Sequence, residues 1–248
     1  MAWLTDIFTF VMIQLHGLTG SLGLSIIVFT VVLRGILYPL TKSSQVAMNK
    51  MRLLQPELEK LKTKHKKDPK ALQAAQLALY QQHKVNPIAG CIPQIVQLVI
   101  LIFLYRFFID FLSHTDAQSI VMNTKFFWLD VRFPDTTYIL PILAGASQFL
   151  LSLMMMPKED SVQVKANKQK KEPPKSGMAD MGQTMQKQML FMMPLLTVFI
   201  ALKFPSGLAL YWVITTLFSL VQQYRIGGIG GAEKYINKAK AYFGGKTT

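Results

Sequence analysis

Long apolar runs separated by short, strongly basic segments constrain this chain more than any other feature of its sequence. Residues 22–40, 88–109 and 138–156 each reach or approach the roughly 20 apolar residues that a bilayer core requires of a helix. A fourth run, 188–221, is longer, and Lys203-Phe204-Pro205-Ser206-Gly207 interrupts it. Proline with glycine marks a tight turn, so this run divides into two short spans, 189–202 and 207–223. In lipid an open sheet edge would stay unpaired, which leaves helices as the spanning elements. The pattern predicts an all-α membrane protein with five transmembrane helices.

The composition agrees with that reading: 51% of residues are hydrophobic and 16% charged, where soluble domains carry about 25% charged residues. The formal charge is nevertheless +14. Placement resolves the conflict. Ten Lys and Arg lie in 42–84, seven in 157–188 and five from 224 onward, against Arg106, Lys125, Arg132 and Lys203 on the opposite side. That bias puts the basic segments in the cytoplasm, the N-terminus outside and the C-terminus inside. A nucleic-acid binder would spread its basic residues over a folded face, and no DNA partner is predicted. The lone Cys91 excludes a disulfide framework and a cysteine-cluster metal site. His16, His65, His83 and His114 show no ligand spacing, so neither metal nor cofactor is expected. No basic residue precedes Arg34, which argues against a cleavable signal peptide.

These assignments divide the chain into seven segments. In 1–17, Leu4, Ile7, Phe8, Val11, Met12 and Leu15 recur at helical spacing. This predicts an N-terminal amphipathic interfacial helix on the outer surface, with a sixth short span as the competing reading. Span 1 occupies 18–41. In 42–86, one apolar stripe (Met48, Met51, Leu54, Leu58, Leu61) and another (Leu72, Ala75, Leu79) follow each other across Asp68-Pro69. Asp68 is placed as a cap and Pro69 as a first-turn residue, giving a cytoplasmic two-helix hairpin. Lys62, Lys64, Lys66 and Lys67 cluster at its tip, either as a solvated end or as a docking surface for anionic lipid or an acidic partner. Spans 2 and 3 with their outer loop take 87–156, and 157–188 is a basic loop that starts as a disordered composition. Its later part carries Met178, Met181, Met185 and Met189 on one helical face leading into span 4, with Met192 continuing it. Thioethers suit a surface that meets varied apolar partners, so Met181, Met185 and Met189 are candidate capture residues; packing against neighbouring helices is the plainer reading. Spans 4 and 5 fill 189–223, and 224–248 is a basic cytoplasmic tail.

Arg34 does not belong in an apolar span. It lies about six residues inside the cytoplasmic end of span 1, roughly 9 Å deep at 1.5 Å per residue. An arginine at the middle of a spanning helix costs about 3 kcal/mol on insertion scales, and the spans offer no acid to pair with it. Snorkelling toward the headgroups is one account. The other is a hydrated pocket, because each remaining long span also has polar residues along one side. Thr30 is one turn from Arg34, span 2 has Gln94 and Gln97, and span 3 has Gln148 between Gly145 and Ser152. Span 5 has Trp212, Thr215, Thr216, Ser219 and Gln223. Such stripes turn inward. The set contains no nucleophile–base pair and no phosphate loop, so the chain is not expected to be an enzyme. A pocket of water, one positive charge and hydrogen-bonding groups suits transient hydration of a passing polypeptide.

The segments LRGILYPLTKSSQ (33–45), MRLLQPELEKL (51–61), ALYQQHKVNPIAGCIPQIVQ (78–97), YILPILAGASQFLLSLMM (138–155) and MPLLTVFIALKFPSGLALYWVITTLFSLVQQ (193–223) resemble the YidC family of membrane protein insertases. Mitochondrial Oxa and chloroplast Albino-type proteins are its relatives. The resemblance implies five core spans, a cytoplasmic hairpin, no cofactor, and a hydrophilic groove open to cytoplasm and lipid. It places the groove's central arginine at Arg34, a third-span position at Gln148, and the fifth-span aromatics at Trp212 and Tyr211. With the polar stripes, the substrate groove is expected to comprise Arg34, Thr30, Gln97, Gln148, Tyr211, Trp212, Thr215 and Thr216. The extra first span and periplasmic domain of Gram-negative members have no counterpart in this sequence, nor has the lipoprotein cysteine of Gram-positive ones. The expectation is a monomer-capable insertase and chaperone of the bacterial plasma membrane, an organelle being the other possible source. Its partners would be nascent membrane proteins and the lipid bilayer, with the ribosome, Sec translocon and signal recognition particle as further candidates. A small-anion transporter using the same arginine is the alternative.

Overall fold

The computed structural model describes residues 2–65, 68–86, 92–113, 123–156, 178–233 and 235. Those residues form helices and one small β-hairpin: α1 (Ala2–Thr19), α2 (Leu22–Ile36), α3 (Tyr38–Leu53), α4 (Gln55–Lys64), α5 (Pro69–Gln82), α6 (Ile92–Ser113), β1 (Lys125–Phe126), β2 (Leu129–Asp130), α7 (Ile139–Met154), α8 (Met178–Lys203) and α9 (Ser206–Gly227). They fall into two compact units. The first is Met1–Thr41, Ile92–Phe149 and Met193–Val221; the second is Lys42–Cys91, Leu150–Met192 and Gln222–Thr248.

In the first unit, α1 and α2 meet at a corner of 116°. Gly20 makes it with φ +69°, a left-handed backbone in which a Cβ is crowded. The Gly20 N–H returns to the His16 carbonyl at 2.8 Å, and the Thr19 hydroxyl donates to the Leu15 carbonyl at 2.8 Å. Both bonds satisfy carbonyls that the end of α1 would otherwise leave free. Phe8 and Met12 of α1 then bury against Leu22 and Ile26 of α2, Leu104, Phe107 and Phe108 of α6, and Leu208 and Tyr211 of α9. The apolar surface of α1 is wider than one stripe, since Ile7, Phe10 and Leu18 are exposed.

No single described helix is long and apolar enough to cross a membrane; α1 and α2 meet that test only as a bent pair. The interruption of the run at 22–40 has a local cause. Pro39, the second residue of α3, lacks the N–H that would continue the ladder. Leu37 N still donates to Leu33 O and Thr41 N to Leu37 O, each at 2.9 Å, so the chain passes through the break with little loss of bonding. The Met-striped segment and the apolar run after it form one helix, α8, with Pro194 inside it.

Glycines set how closely these helices approach. A Cβ on Gly145 would strike Val198, and one on Gly207 would strike the Phe108 ring. A second cluster joins Leu140 and Ala144 of α7, Ala201 of α8, and Ala209, Leu210 and Val213 of α9. The Lys203–Ser206 turn is held by the loop after β2: Ser206 N donates to Phe133 O at 2.8 Å and Gly207 N to Val131 O at 3.0 Å. The Ser206 hydroxyl donates to Asp130 O at 2.8 Å. Three donors at the start of α9 thus find loop carbonyls rather than remaining unpaired.

The second unit contains the predicted hairpin, whose first arm is two helices. Pro56 near the start of α4 separates it from α3. Asp68 caps α5, its Oδ1 accepting from Lys70 N and Ala71 N at 3.0 Å, with Pro69 in the first turn as the sequence suggests. Leu54, Leu58, Leu72 and Leu79 are buried, while Met48, Met51, Leu61 and Ala75 are half-buried. Arg52 Nη1 donates to the Met154 carbonyl at 3.2 Å, placing a cation at the C-terminal end of α7 where the helix dipole favours one. Gly231 N donates to Met156 O at 3.0 Å.

The tightest of these approaches yields a prediction. Gly207→Ala should force the Phe108 ring out of place and destabilise the protein by about 1–3 kcal/mol. Thermal unfolding in detergent should show a lowered midpoint, and an unchanged one would mean that the ring moves freely.

Candidate functional site

On α2, Leu22, Ile26, Thr30 and Arg34 recur every four residues and are all buried. One helix face therefore begins as apolar core and ends as a polar pair. Thr30 is satisfied within its own helix, its hydroxyl donating to the Ile26 carbonyl at 2.6 Å. Arg34 has no such option and extends away from α2. It is only 9% exposed, and its Nη2 donates to Oε1 of Gln97 on α6. No carboxylate pairs with it among the described residues.

Tyr211 and Thr215, four apart on α9, complete the group. The Tyr211 hydroxyl faces Arg34, Gln97 and Thr215, and the residue is 1% exposed. Neither the Tyr211 hydroxyl nor that of Thr215 has a hydrogen bond of regular geometry. A buried polar group left unmatched costs about 1–3 kcal/mol, so the cluster holds unspent hydrogen-bonding capacity beside a positive charge. The neighbouring hydroxyls hold none: Thr216 donates to Trp212 O at 2.8 Å and Ser219 to Thr215 O at 2.9 Å.

Of the residues expected to line the groove, the structure brings together Arg34, Gln97, Tyr211 and Thr215, with Thr30 one turn away. Gln148 is half-buried one turn beyond Ala144, and Trp212 is half-buried on α9. Neither side chain bonds to the Arg34 group among the described residues. Lys62 is half-buried and Lys64 exposed. Lys66 and Lys67, and the side chains of Gln94, Met181, Met185 and Met189, lie outside the described residues.

Two polar features escaped sequence reasoning. In the second unit, Asn49 and Gln223 carry buried amide nitrogens without partners, and both crowd the face of Gly227, where a Cβ would collide with them. A glycine near a helix end was the available signal. In the first unit, β2 and the loop after it carry two stabilised carboxylates. Arg132 forks onto Asp130, Nε to Oδ1 at 3.0 Å and Nη2 to Oδ2 at 2.7 Å, and this pairing holds the Asp130 carboxyl below its ordinary range. Asp135 is buried, which opposes its ionisation. Bonds from the Thr137 hydroxyl at 2.6 Å, Leu140 N at 2.8 Å and Thr137 N at 2.9 Å together outweigh burial and hold it low too.

Carboxyl groups held low in the folded state stabilise it fully above the unfolded value of about 3.9 and lose that contribution as pH falls through the folded one. Hydrogen-exchange protection of the Leu140 and Gly207 amides should therefore be flat near neutrality and decline below about pH 4. Protection that stays constant through that range would remove these carboxylates from the loop's stability. Asp135→Ala should weaken the start of α7 by about 1–2 kcal/mol, read as the same loss of protection at neutral pH.

Comparison with known proteins places this geometry. Residues 14–229 match the model of the 60Kd inner membrane protein family. A Fusobacterium nucleatum protein named membrane protein insertase YidC is 35% identical over 207 residues, 84% of this chain and 86% of the relative. Proteins of the same name are 33% identical in Geobacter sulfurreducens and 36% in an Anaeromyxobacter species. The matches span 85% and 90% of this chain but only 34% and 35% of those longer relatives. A crystal structure described as an active YidC insertase with its first transmembrane domain resolved superposes with a TM-score of 0.61 at 24% identity, covering 89% of this chain and 45% of that one.

Proposed function

Because the chain belongs to the 60Kd inner membrane protein family, we propose that it is a membrane protein insertase working from the cytoplasmic side of a bacterial inner membrane. Five spans, carried by α2 with α3, α6, α7, α8 and α9, fit this role, with α1 lying at the outer surface. The N-terminus is outside and the C-terminus inside. The hairpin over 42–86, the segment 157–188 and the tail 224–248 face the cytoplasm.

The observation that carries the reading is the buried Arg34, with no carboxylate beside it among the described residues, next to Tyr211 and Thr215 hydroxyls that lack hydrogen bonds of regular geometry. A guanidinium whose polar neighbours are a neutral amide and a phenol keeps most of its attraction for an anion. Hydroxyls without partners accept or donate to a passing peptide group. Together they substitute for part of the water that a polar segment leaves behind. Gln148, Trp212 and Thr216 extend the same surface along the substrate's path, and Thr30 shapes its wall.

Magnitudes bound the substrates. An apolar side chain at a span centre returns about 0.3–0.6 kcal/mol and an acidic one costs about 2.5–3.5 kcal/mol. Ten apolar residues therefore offset roughly one or two acids. The chain suits nascent proteins of one or a few spans with short, weakly charged outer segments. Partitioning of the apolar span into lipid drives the step, and Arg34 lowers the barrier for the acid. The reaction makes and breaks no covalent bond. In this reading Met181, Met185 and Met189 receive the apolar span, and Lys62, Lys64, Lys66 and Lys67 dock anionic lipid heads or an acidic partner.

Purified protein in liposomes should protect an acidic-tailed single-span substrate from external protease, and Arg34→Glu should abolish that protection while Arg34→Lys retains it. Equal insertion by wild type and Arg34→Glu would sink the role given to Arg34. Saturable small-anion flux without insertion would replace the insertase by a transporter. Crosslinkers at Met181 or Met185 should trap nascent chains; none trapped at either site would return the stripe to helix packing.

A further inference from the structure

Phe127 stands where a two-residue β-hairpin ordinarily takes glycine. Phe127 and Trp128 alone join β1 to β2, in the register Phe126 opposite Leu129. Phe127 has φ +52°, and such loops give that first position to Gly or Asn because a Cβ is crowded there. Tyr138, the residue before α7, repeats the anomaly at φ +61°. Among the described residues, three other than glycine have positive φ, and two of them are these rings. Core packing does not account for them: Phe127 is 83%, Trp128 52% and Tyr138 59% exposed.

The frame beneath the rings is rigid. Phe126 presses on Gly23, where a Cβ would collide with its ring. Val131 N donates to Thr124 O at 3.0 Å and closes the base of the hairpin, and the Arg132–Asp130 fork fixes the chain leaving β2. Phe126 and Phe127 meet edge to face at 4.7 Å between centroids, and Trp128 follows at 6.1 Å. Backbone strain is thus spent on holding an aromatic cluster outward. The cluster runs directly into exposed aliphatic surface, with Ile139, Ile142 and Leu143 after Tyr138 and Leu24 after Gly23. Lys125, also exposed, adds a positive charge beside it.

We propose that Phe127, Trp128 and Tyr138, with Lys125, form an anchor seated in the headgroup and glycerol layer of the lipid bilayer. Trp and Tyr present an apolar ring with a polar tip, which suits the boundary between hydrocarbon and water. The Lys125 ammonium meets lipid phosphate. Continuity with the aliphatic faces of α2 and α7 selects lipid as the occupant. The same loop bonds the first residues of α9, so the anchor sets the depth of that helix and of Tyr211 upon it. The proposal requires only that the chain be embedded in a membrane, and it stands or falls independently of insertase activity.

The test uses the full chain with Trp3→Phe and Trp212→Phe, leaving Trp128 as the sole tryptophan, in phosphatidylethanolamine–phosphatidylglycerol vesicles. Lipids brominated high on the acyl chain should quench its emission more than lipids brominated near the chain end. Phe127→Gly should lose most of that quenching while its thermal unfolding midpoint holds or rises, because the strain is relieved. Water-like emission that neither lipid quenches overturns the proposal. So does a Phe127→Gly chain that unfolds earlier with quenching intact, since the ring would then be packing within the protein. Burial of Trp128 that grows with the protein-to-lipid ratio would assign the rings to a second copy and overturns it as well.

Discussion

A buried guanidinium without a carboxylate is the constraint around which the first unit is organised. Arg34 is drawn toward polar groups by the penalty of leaving its charge unsolvated, and the group it reaches is neutral Gln97. A carboxylate there would have closed the site as an ion pair. The amide and the Tyr211 hydroxyl beside it are both neutral, so neither cancels the charge. The charge remains usable because the nearest partner does not cancel it.

Holding that arrangement requires α2, α6 and α9 to come close around it. The apolar part of the same α2 face does this by packing Leu22 and Ile26 into the core formed with Phe107, Phe108, Leu208 and Tyr211. Gly207 permits α9 to approach α6 at Phe108. Tyr211 is accordingly both a core residue, by its ring, and a site residue, by its hydroxyl. β2 and the loop after it contribute from the other direction, capping the start of α9 with the carbonyls of Asp130, Val131 and Phe133. The polar cluster and the apolar core thus depend on each other along a single helix face.

Several parts of this were legible in the residues. Asp68-Pro69 announced the start of α5, and Lys203–Ser206 the turn between α8 and α9, because proline and capping chemistry act locally. Arg34, Gln97 and Thr215 stood out as polar groups at helical spacing in apolar runs, and Tyr211 came only from the family resemblance. What sequence reasoning did not separate was Thr216 and Ser219, which bond back to their own helices, from Thr215, which does not. A hydroxyl's partner depends on the rotamer and on neighbouring helices. The break at Pro39 was missed for a related reason: the hydropathy of 22–40 is continuous, and hydropathy does not register a lost N–H.

The sequence by itself determined the helical character, the apolar runs, the segregation of basic residues and the arginine within the first long apolar run, all properties of residue type and spacing along the chain. Only the tertiary structure decided which polar groups meet. It set Gln97 and Tyr211 against Arg34, left two hydroxyls unmatched, and held Phe127 and Tyr138 outward in left-handed backbone. The physical reason is that periodicity fixes the face of a helix on which a side chain lies. Its partner is fixed by which helix packs on that face and at what height, and that follows from glycine contacts, loop bonds and ring packing between distant segments.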